Sequence, residues 1–468
     1  MIELTPSLSH PASAGGTERI WAAVTAVLVY DGALYMVRRA PSLAAFPGYE
    51  AFPGGKLERE DMLGEPLQAS IFSGHDAASI RALVRELREE LDFDLIDAAA
   101  AGTIVSLDFI GSFVTPPVVP RRYDTRFYRI VLATRPQLQV DGGEAVSGDW
   151  ITARDAMARY RGGEILLAPP TLACLQAFEA NLACREIDAL SLARPLDPAS
   201  HGVEHVCGVR QIYVASSTLP PAEHTNCIVF GDAGSPRLAL DPSPNSRAEF
   251  ERISALLKSL QVSHIFLTHH HRDHREQVNA LARLNGWPII LSRDTAQRIE
   301  RVESPSYFDG VQLQHTAEGE IVTHWLGNPV RVLEVPGHDE GQLALMPDNA
   351  AWCIVGDLIQ GVGTVVISAP EGNMARYFAS LERLIALAPR VIYPSHGIPM
   401  GTVFRLEEVL KHRRLRERQI LDLHRAGHGI DAILEQLYRD TDQRILPYAR
   451  RNIESHLVKL RDEAHIAG

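Results

Sequence analysis

The sequence predicts an α+β protein of more than one domain, and three observations predict it. Its 468 residues are about three times the ~150 that serve as a prior for one domain, so two or three folded units are expected. With 46% apolar and 22% charged residues, the composition is that of globular proteins rather than of disordered or fibrous chains. Strand-sized apolar runs alternate with helical stretches as far as about residue 402, and the chain beyond 404 reads as helix.

Taken in order, the first domain (1–185) opens with the strands WAAVTAVLVY and GALYMVRR, continues through a helix near 77–91, and returns to strands at 104–114 and 125–133. Residues 186–207 mix Pro, Asp, Ser and Gly without periodicity, which predicts a linker. Between 208 and 403 the runs CIVFG, LALD, HIFLTHH, PIILS, VRVLEVPGH, WCIVGD and VIYPSH alternate with helical stretches, the arrangement of sheets covered by helices. Several of these runs end in His or Asp. The last segment, 404–468, is broken at 427–429 and near Pro447 and is long enough for three helices.

Composition excludes several functions. No run approaches the ~18 to 20 apolar residues of a membrane span, and the start MIELTPSLSH has neither a basic nor an apolar signal region. A cytoplasmic protein without a membrane role is expected. Five cysteines, never spaced C-x-x-C, suit core thiols rather than a disulfide framework or a zinc ribbon. A net charge of −12 repels nucleic acid phosphates unless basic groups gather on one face.

Two constellations carry chemistry. In Arg85-Glu86-Leu87-Arg88-Glu89-Glu90 the glutamates stand at i, i+3 and i+4, one face of a helix. Like charges so placed suit a hard divalent cation, although a solvated charged face has the same pattern. Upstream, Phe52-Pro53-Gly54-Gly55-Lys56 is a loop whose glycines permit close backbone approach. Together these residues resemble the Nudix box over about 19–180. The resemblance implies an α/β/α sandwich that hydrolyses a nucleoside diphosphate linked to another moiety. It places Glu86, Glu89 and Glu90 around Mg²⁺ or Mn²⁺ and has Arg85 orient a glutamate. The family has fourteen residues from the last glycine to the arginine; here the gap is 85 − 55 = 30, an insertion of 16 at roughly 60–75. Counted back from Arg85, the family's intermediate glutamate falls on Ala77, and its final glycine falls on Asp92.

Arg39-Ala40, Gly48 and 52–55 are similar to the pattern of coenzyme A diphosphatases, with Ala44 in place of an arginine; TPPVVPRRYDTRFYRI and PPTLACLQAF resemble the same branch. Substrate contacts are therefore expected from Arg39, Gly54, Gly55, Arg121, Arg122 and Arg126. The last three suit a clamp on phosphate oxygens, and an arginine-rich strand edge paired with Asp124 looks the same.

The second constellation is Thr268-His269-His270-His271-Arg272-Asp273-His274, at the exit of an apolar run, with His338, Asp357 and His396 at later run ends. Imidazole and carboxylate are zinc ligands. As a set they resemble the metallo-β-lactamase superfamily over about 208–402. The resemblance implies an αββα sandwich with two Zn²⁺, one held by His269, His271 and His338, the other by Asp273, His274 and His396, with Asp357 bridging. Asp241 takes the place of an aspartate orienting a ligand histidine, and His270 is not a ligand. Such a metal pair activates water and polarises a carbonyl or phosphoryl oxygen.

The tail resembles the winged helix of the β-lactamase-like protein 2 group, some of whose members are endoribonucleases. Its 13 Lys/Arg against 11 Asp/Glu give only +2, so a packing flap and an RNA-binding module both remain open. The function expected is a two-site hydrolase of small molecules. Arg85, Glu86, Glu89 and Glu90 cleave a coenzyme A-type diphosphate, and Asp273 with the zinc ligands cleaves a thioester or ester. A zinc endoribonuclease with a nucleotide-sensing Nudix domain is the alternative. In a third reading the Nudix domain binds ligand without turnover, prompted by Ala77, Asp92 and the insertion.

Overall fold

The computed structural model describes residues 20–116, 122–190, 201–439 and 441–466. Arg121 and part of the expected linker, 191–200, lie outside them. The chain divides into two compact units, Thr17–Arg210 and Gln211–Gly468.

In the first unit a mixed sheet runs Glu50–Ala51, Ala33–Arg39, Ile20–Tyr30, Arg122–Leu132, Ile104–Val114, and Ala145–Thr152 pairs with Ala33–Arg39. Ile20–Tyr30 and Arg122–Leu132 are parallel, with Val24 opposite Arg126. Alternation explains why WAAVTAVLVY is apolar at nearly every position: Val24, Ala26 and Leu28 face one core, Val27 and Val29 the other. Helix Ala77–Leu91 covers the first face through Ile80, Leu83, Leu87 and Leu91. Helices Ala153–Arg161 and Pro169–Ala180 cover the second through Met157, Leu175 and Phe178. The result is the expected three-layer sandwich.

Asp92 ends the glutamate helix in the left-handed conformation, φ +52°. That conformation is why glycine is favoured there, and aspartate is among the few side chains that tolerate it. The replacement leaves the helix end intact, its N–H bonded to the carbonyls of Arg88 and Leu87.

The second unit stacks two sheets. One runs Leu313–His315, Ile289–Leu291, His264–Phe266, Leu238–Leu240, His224–Phe230, Val209–Ala215; the other runs Ile321–Trp325, Asn328–Glu334, Leu343–Pro347, Cys353–Ile354, Val391–Tyr393, Met400–Gly401. Phe230, Trp352 and Trp325 meet edge to face in the interior, with centroids 4.9 and 5.6 Å apart. Helices Arg247–Ser259, Val278–Asn285 and Arg293–Val302 pack on the first sheet through Ile253, Leu257, Leu281 and Ile299. Helices Met374–Leu387 and Phe404–Arg425 pack on the second.

Phe404–Arg425 is 22 residues long, about 33 Å of helix, and so belongs to two cores. Leu406 and Leu410 join the sheet core, whereas Ile420 joins Ile433, Ile453, Leu457 and Leu460 of the helices Ile430–Leu437 and Leu446–Asp462. This shared helix ties the C-terminal module to the αββα sandwich. No helix among the described residues is long and apolar enough to cross a membrane.

Candidate metal centres

In the second unit, the parallel strands Leu238–Leu240 and His264–Phe266 pair Leu240 with Phe266, so Asp241 and Thr268 emerge together at one sheet edge. Asp241 takes a left-handed φ of +45°, and its carboxylate accepts from Thr268 N at 2.9 Å and Thr268 Oγ1 at 2.6 Å. In the other sheet the parallel strands Cys353–Ile354 and Val391–Tyr393 pair Ile354 with Tyr393. Asp357 and His396 each follow three residues later (354 + 3, 393 + 3). His338 arrives on a loop whose Gly337, φ +138°, lies against the Tyr377 backbone so tightly that a Cβ would collide with it.

The side chains converge as ligands of common ions do. His271 Nδ1 lies 3.0 Å from His269 Nε2 and 2.9 Å from His338 Nε2. His396 Nε2 lies 3.5 Å from Asp273 and 3.4 Å from Asp357, and His274 Nε2 lies 3.7 Å from each. Ligands about 2.0 to 2.1 Å from a tetrahedral ion are separated by about 3.3 Å. His274 Nε2, His396 Nε2 and Asp357 Oδ1 are buried and have no hydrogen-bond partner among the described residues, a cost a cation removes. In each of the groups His269–His271–His338, His269–His274–Asp357 and Asp273–His274–His396 the donor atoms lie within 4.8 Å of one another, close enough to gather on one ion. The residues fit a pair of ions, with Asp357 between them.

The ring nitrogen facing away from the cluster is also held. His269 Nδ1 meets Thr268 Oγ1 at 2.9 Å, His274 Nδ1 meets Asp241 at 2.9 Å, His338 Nδ1 meets the Val366 carbonyl at 2.9 Å, and His396 Nδ1 meets the His224 carbonyl at 2.8 Å. These partners fix tautomer and ring plane. His271 is oriented from its Nε2 side by Glu371, 3.3 Å away. His270 is not pointed into the cluster: its ring joins Asp339, which is fully buried, and Glu371 at 3.5 Å. Its extra imidazole thus anchors the carboxylate that faces His271.

The charges sort accordingly. Burial holds His269 well below the ordinary histidine range, and burial with the neighbouring His271 takes His338 down to about 4. Burial works against charge at Asp273 too, yet His274 and His396 outweigh it and hold this carboxyl at about 2; the same imidazoles keep Asp357 well below the carboxylate range. His269, His338 and both aspartates therefore present lone pairs at neutral pH.

In the first unit, Glu86, Glu89 and Glu90 share a face of Ala77–Leu91. Burial raises Glu86 to about 7 against the pull of Arg85, and raises Glu90 to about 8 against a hydrogen bond from Gly54 N at 3.0 Å. Glu144, on the loop before Ala145–Thr152, pushes both up further. Two buried carboxylates that resist ionisation suit a hard cation. Arg85 reaches Glu86 and Glu89 at 2.9 Å each. Gly54, φ +145°, is required because a Cβ would strike the Val24 carbonyl, and one on Gly55 would strike the Glu86 carboxylate. The glycines bring the loop onto the strand and the ligand helix.

Arg85 also pairs with Asp61, Nη2 to Oδ2 2.9 Å, on the short helix Arg59–Leu63. Asp61 is buried. Counting back from Arg85 leads to Ala77 and misses it. The family's intermediate glutamate stands eight residues before the arginine (85 − 77) and hence six after the glycine (14 − 8), and counting forward gives 55 + 6 = 61. The insertion lies after this position, and the ion pair closes across it. Asp61, Glu144 and Glu371 were absent from the local pattern; for Asp61 alone the forward count was an available signal.

Of the arginines expected to contact substrate, Arg121 lies outside the described residues and the other three are engaged within the fold. Arg126 pairs with Asp76 at 2.7 Å and Ser79 at 3.0 Å, Arg122 donates to the Thr115 carbonyl at 2.8 Å, and Arg39 donates to the Ala45 carbonyl.

Family models match the chain in three places: the NUDIX domain over residues 20–166, the metallo-beta-lactamase superfamily over 221–396, and the beta-lactamase associated winged helix domain over 429–467. A beta-lactamase-like protein 2 homolog from Drosophila melanogaster is 27% identical over 52% of this chain and 84% of that protein. Atrochrysone carboxyl ACP thioesterase AgnL7 from Paecilomyces divaricatus is 30% identical over 42% of this chain, which spans 58% of that protein's length. A NUDIX hydrolase structure from Alicyclobacillus acidocaldarius is 28% identical, covers 35% of this chain and 93% of that one, and superposes with a TM-score of 0.30.

Proposed function

A chain that carries a NUDIX domain, a metallo-β-lactamase domain and its associated winged helix is a metal-dependent hydrolase, and we propose that it is bifunctional. At the glutamate helix it cleaves a nucleoside diphosphate linkage of coenzyme A type with Mg²⁺ or Mn²⁺. At the histidine cluster it hydrolyses a thioester or ester with two Zn²⁺. The observation that carries this reading is the convergence of seven donor side chains at the second cluster, five of them held from behind by a hydroxyl, carbonyl or carboxylate.

Bound there, the ion pair supplies Lewis acidity and a nucleophile at neutral pH. The chain's own contribution is positional. Asp357 sits between the two histidine groups, and Asp273 is the more open of the two carboxylates. In the first unit Arg85, fixed by Asp61, orients Glu86 and Glu89, while Gly54 N orients Glu90.

The fungal relative named as an acyl-carrier-protein thioesterase supports a thioester, and acyl-coenzyme A would serve both sites. Six of the tail's 13 basic groups favour the same choice over RNA. Arg413 and Arg416 donate to carbonyls, and Arg414, Arg444, Arg450 and Lys459 pair with Glu382, Asp442, Asp431 and Glu417. Cations so engaged are poorly placed to neutralise phosphates. The test is mass spectrometry of products from acetyl- and long-chain acyl-coenzyme A and a short structured RNA, with Mg²⁺ and with Zn²⁺ separately. Release of 3′,5′-ADP with Mg²⁺ and free thiol with Zn²⁺ is expected. Intact thioesters beside cut RNA would replace the second activity with an endoribonuclease, and coenzyme A binding without 3′,5′-ADP would make the first domain a sensor.

A further inference from the structure

Residues 360–373, between the turn Gly356–Leu358 and helix Met374–Leu387, form no helix or strand. Val365 and Ile367 are nevertheless buried, and backbone buried outside secondary structure must find other partners for its N–H and C=O groups. It finds them on the C-terminal helices. Asn452 Oδ1 accepts from Ile367 N at 2.9 Å, Ser455 Oγ donates to the Ile367 carbonyl at 2.7 Å, and Arg413 donates to the Val365 carbonyl. All three side chains are buried. The carbonyl between them, that of Val366, meets His338 Nδ1 at 2.9 Å.

We propose that the C-terminal helical module is a structural part of the metal centre. Asn452, Ser455 and Arg413 are positioning residues that hold the 365–367 strip so that the Val366 carbonyl keeps the proton of His338 on Nδ1 and its Nε2 lone pair on the ion. The geometry has a physical logic. A carbonyl on an unsupported loop would wander by more than the few tenths of an ångström over which a hydrogen bond holds a ring plane, whereas gripping the peptide groups on both sides leaves it one orientation. Arg413 adds a second link. Its guanidinium lies 5.6 Å from the Tyr377 ring centre, and Tyr377 Oη donates at 2.8 Å to the carbonyl of Leu358, the residue after Asp357. The module would thus support one histidine of the first ion and the carboxylate between the ions, and touch neither ion itself.

This inference rests on the proposed two-ion site. The experiment titrates the metal-free full chain with Zn²⁺ against a chromophoric chelator, in the wild type and in Asn452→Ala, Ser455→Ala and Ser455→Thr. It is joined by ¹⁵N-histidine spectra to read the tautomer of His338 and by circular dichroism to check the fold. Loss of a hydrogen bond behind a ligand costs about 10- to 100-fold in metal affinity. Asn452→Ala and Ser455→Ala should each weaken one Zn²⁺ about tenfold or more, leave the other within about twofold, and broaden or shift the His338 Nδ1–H signal. Ser455→Thr, which keeps the hydroxyl, should restore both. If Asn452→Ala does not fold, Ser455→Ala, which removes a single oxygen, decides. Wild-type affinity for both ions in a folded Ser455→Ala variant, or equal weakening of both, overturns the inference alone. A wild-type chain that binds fewer than two Zn²⁺ overturns the proposed site and the inference with it.

Discussion

Replacing Asp241 by asparagine tests whether the metal centre depends on the group behind it. The change is isosteric, and the amide oxygen it introduces can still accept from Thr268 N. The second oxygen, which takes the Thr268 hydroxyl at 2.6 Å and His274 Nδ1 at 2.9 Å, becomes an NH₂ group facing two donors. Either the amide turns and loses the Thr268 N bond, or His274 moves its proton to Nε2 and closes the lone pair meant for the ion. Hydrogen bonds to a charged group contribute about 1.5 to 3 kcal/mol each, so the loss is large enough to force one of these outcomes. Partners of this kind are worth 10- to 100-fold in metal affinity, about 1.4 to 2.7 kcal/mol. In chelator competition on the full chain, Asp241→Asn should bind the ion of His274 and His396 at least tenfold more weakly and hydrolyse thioester correspondingly slowly. Affinity within twofold of wild type would refute the assignment of Asp241 as the group that fixes His274.

Glu89→Gln and Glu90→Gln should each abolish diphosphate cleavage and spare thioester hydrolysis, and Asp273→Ala should do the reverse; product assays in Mg²⁺ and Zn²⁺ that found both reactions silenced by one change would contradict two independent sites. Asp61→Asn removes the buried counter-charge of Arg85 and should lower kcat/KM for diphosphate cleavage about tenfold or more, equivalent to about 1.4 to 3 kcal/mol, and adding Ala77→Glu to it should restore nothing; rescue by glutamate at 77 would place the partner of Arg85 there instead. His205, buried with its Nδ1 3.1 Å from Tyr49 Oη, is pushed from 6.5 down to about 4 by burial. A depressed histidine favours the neutral folded form, so this stability is complete above about pH 6.5 and lost as pH falls towards 4, up to about 3 kcal/mol. Hydrogen exchange of residues 20–190 should accelerate over that window in the wild type and less in His205→Gln; equal acceleration in both would remove His205 as the cause.

The candidate metal ligands could be picked out in the chain because the pattern is local: His269, His271, Asp273 and His274 lie within six residues, and each later candidate closes an apolar run. The glutamates were readable for the same reason, since i, i+3 and i+4 on one helix need no tertiary knowledge. The alternation of strand-sized runs and helical stretches pointed to sheets covered by helices, and the layer order came from the family resemblance. Contacts between segments distant in sequence carried no such signal. Glu371 reaches His271 from 100 residues away, and Asn452 grips a strip 85 residues before it. Whether Arg126 clamps a substrate or belongs to a strand edge paired with Asp124 was equally open in the sequence, because an arginine's length lets it serve either; the fold brings a different carboxylate, Asp76, to 2.7 Å. Which side chains could serve as ligands is a matter of residue type and spacing, which the chain states directly. The orientation of those ligands depends on partners supplied by folding, and only the tertiary structure decides which partners those are.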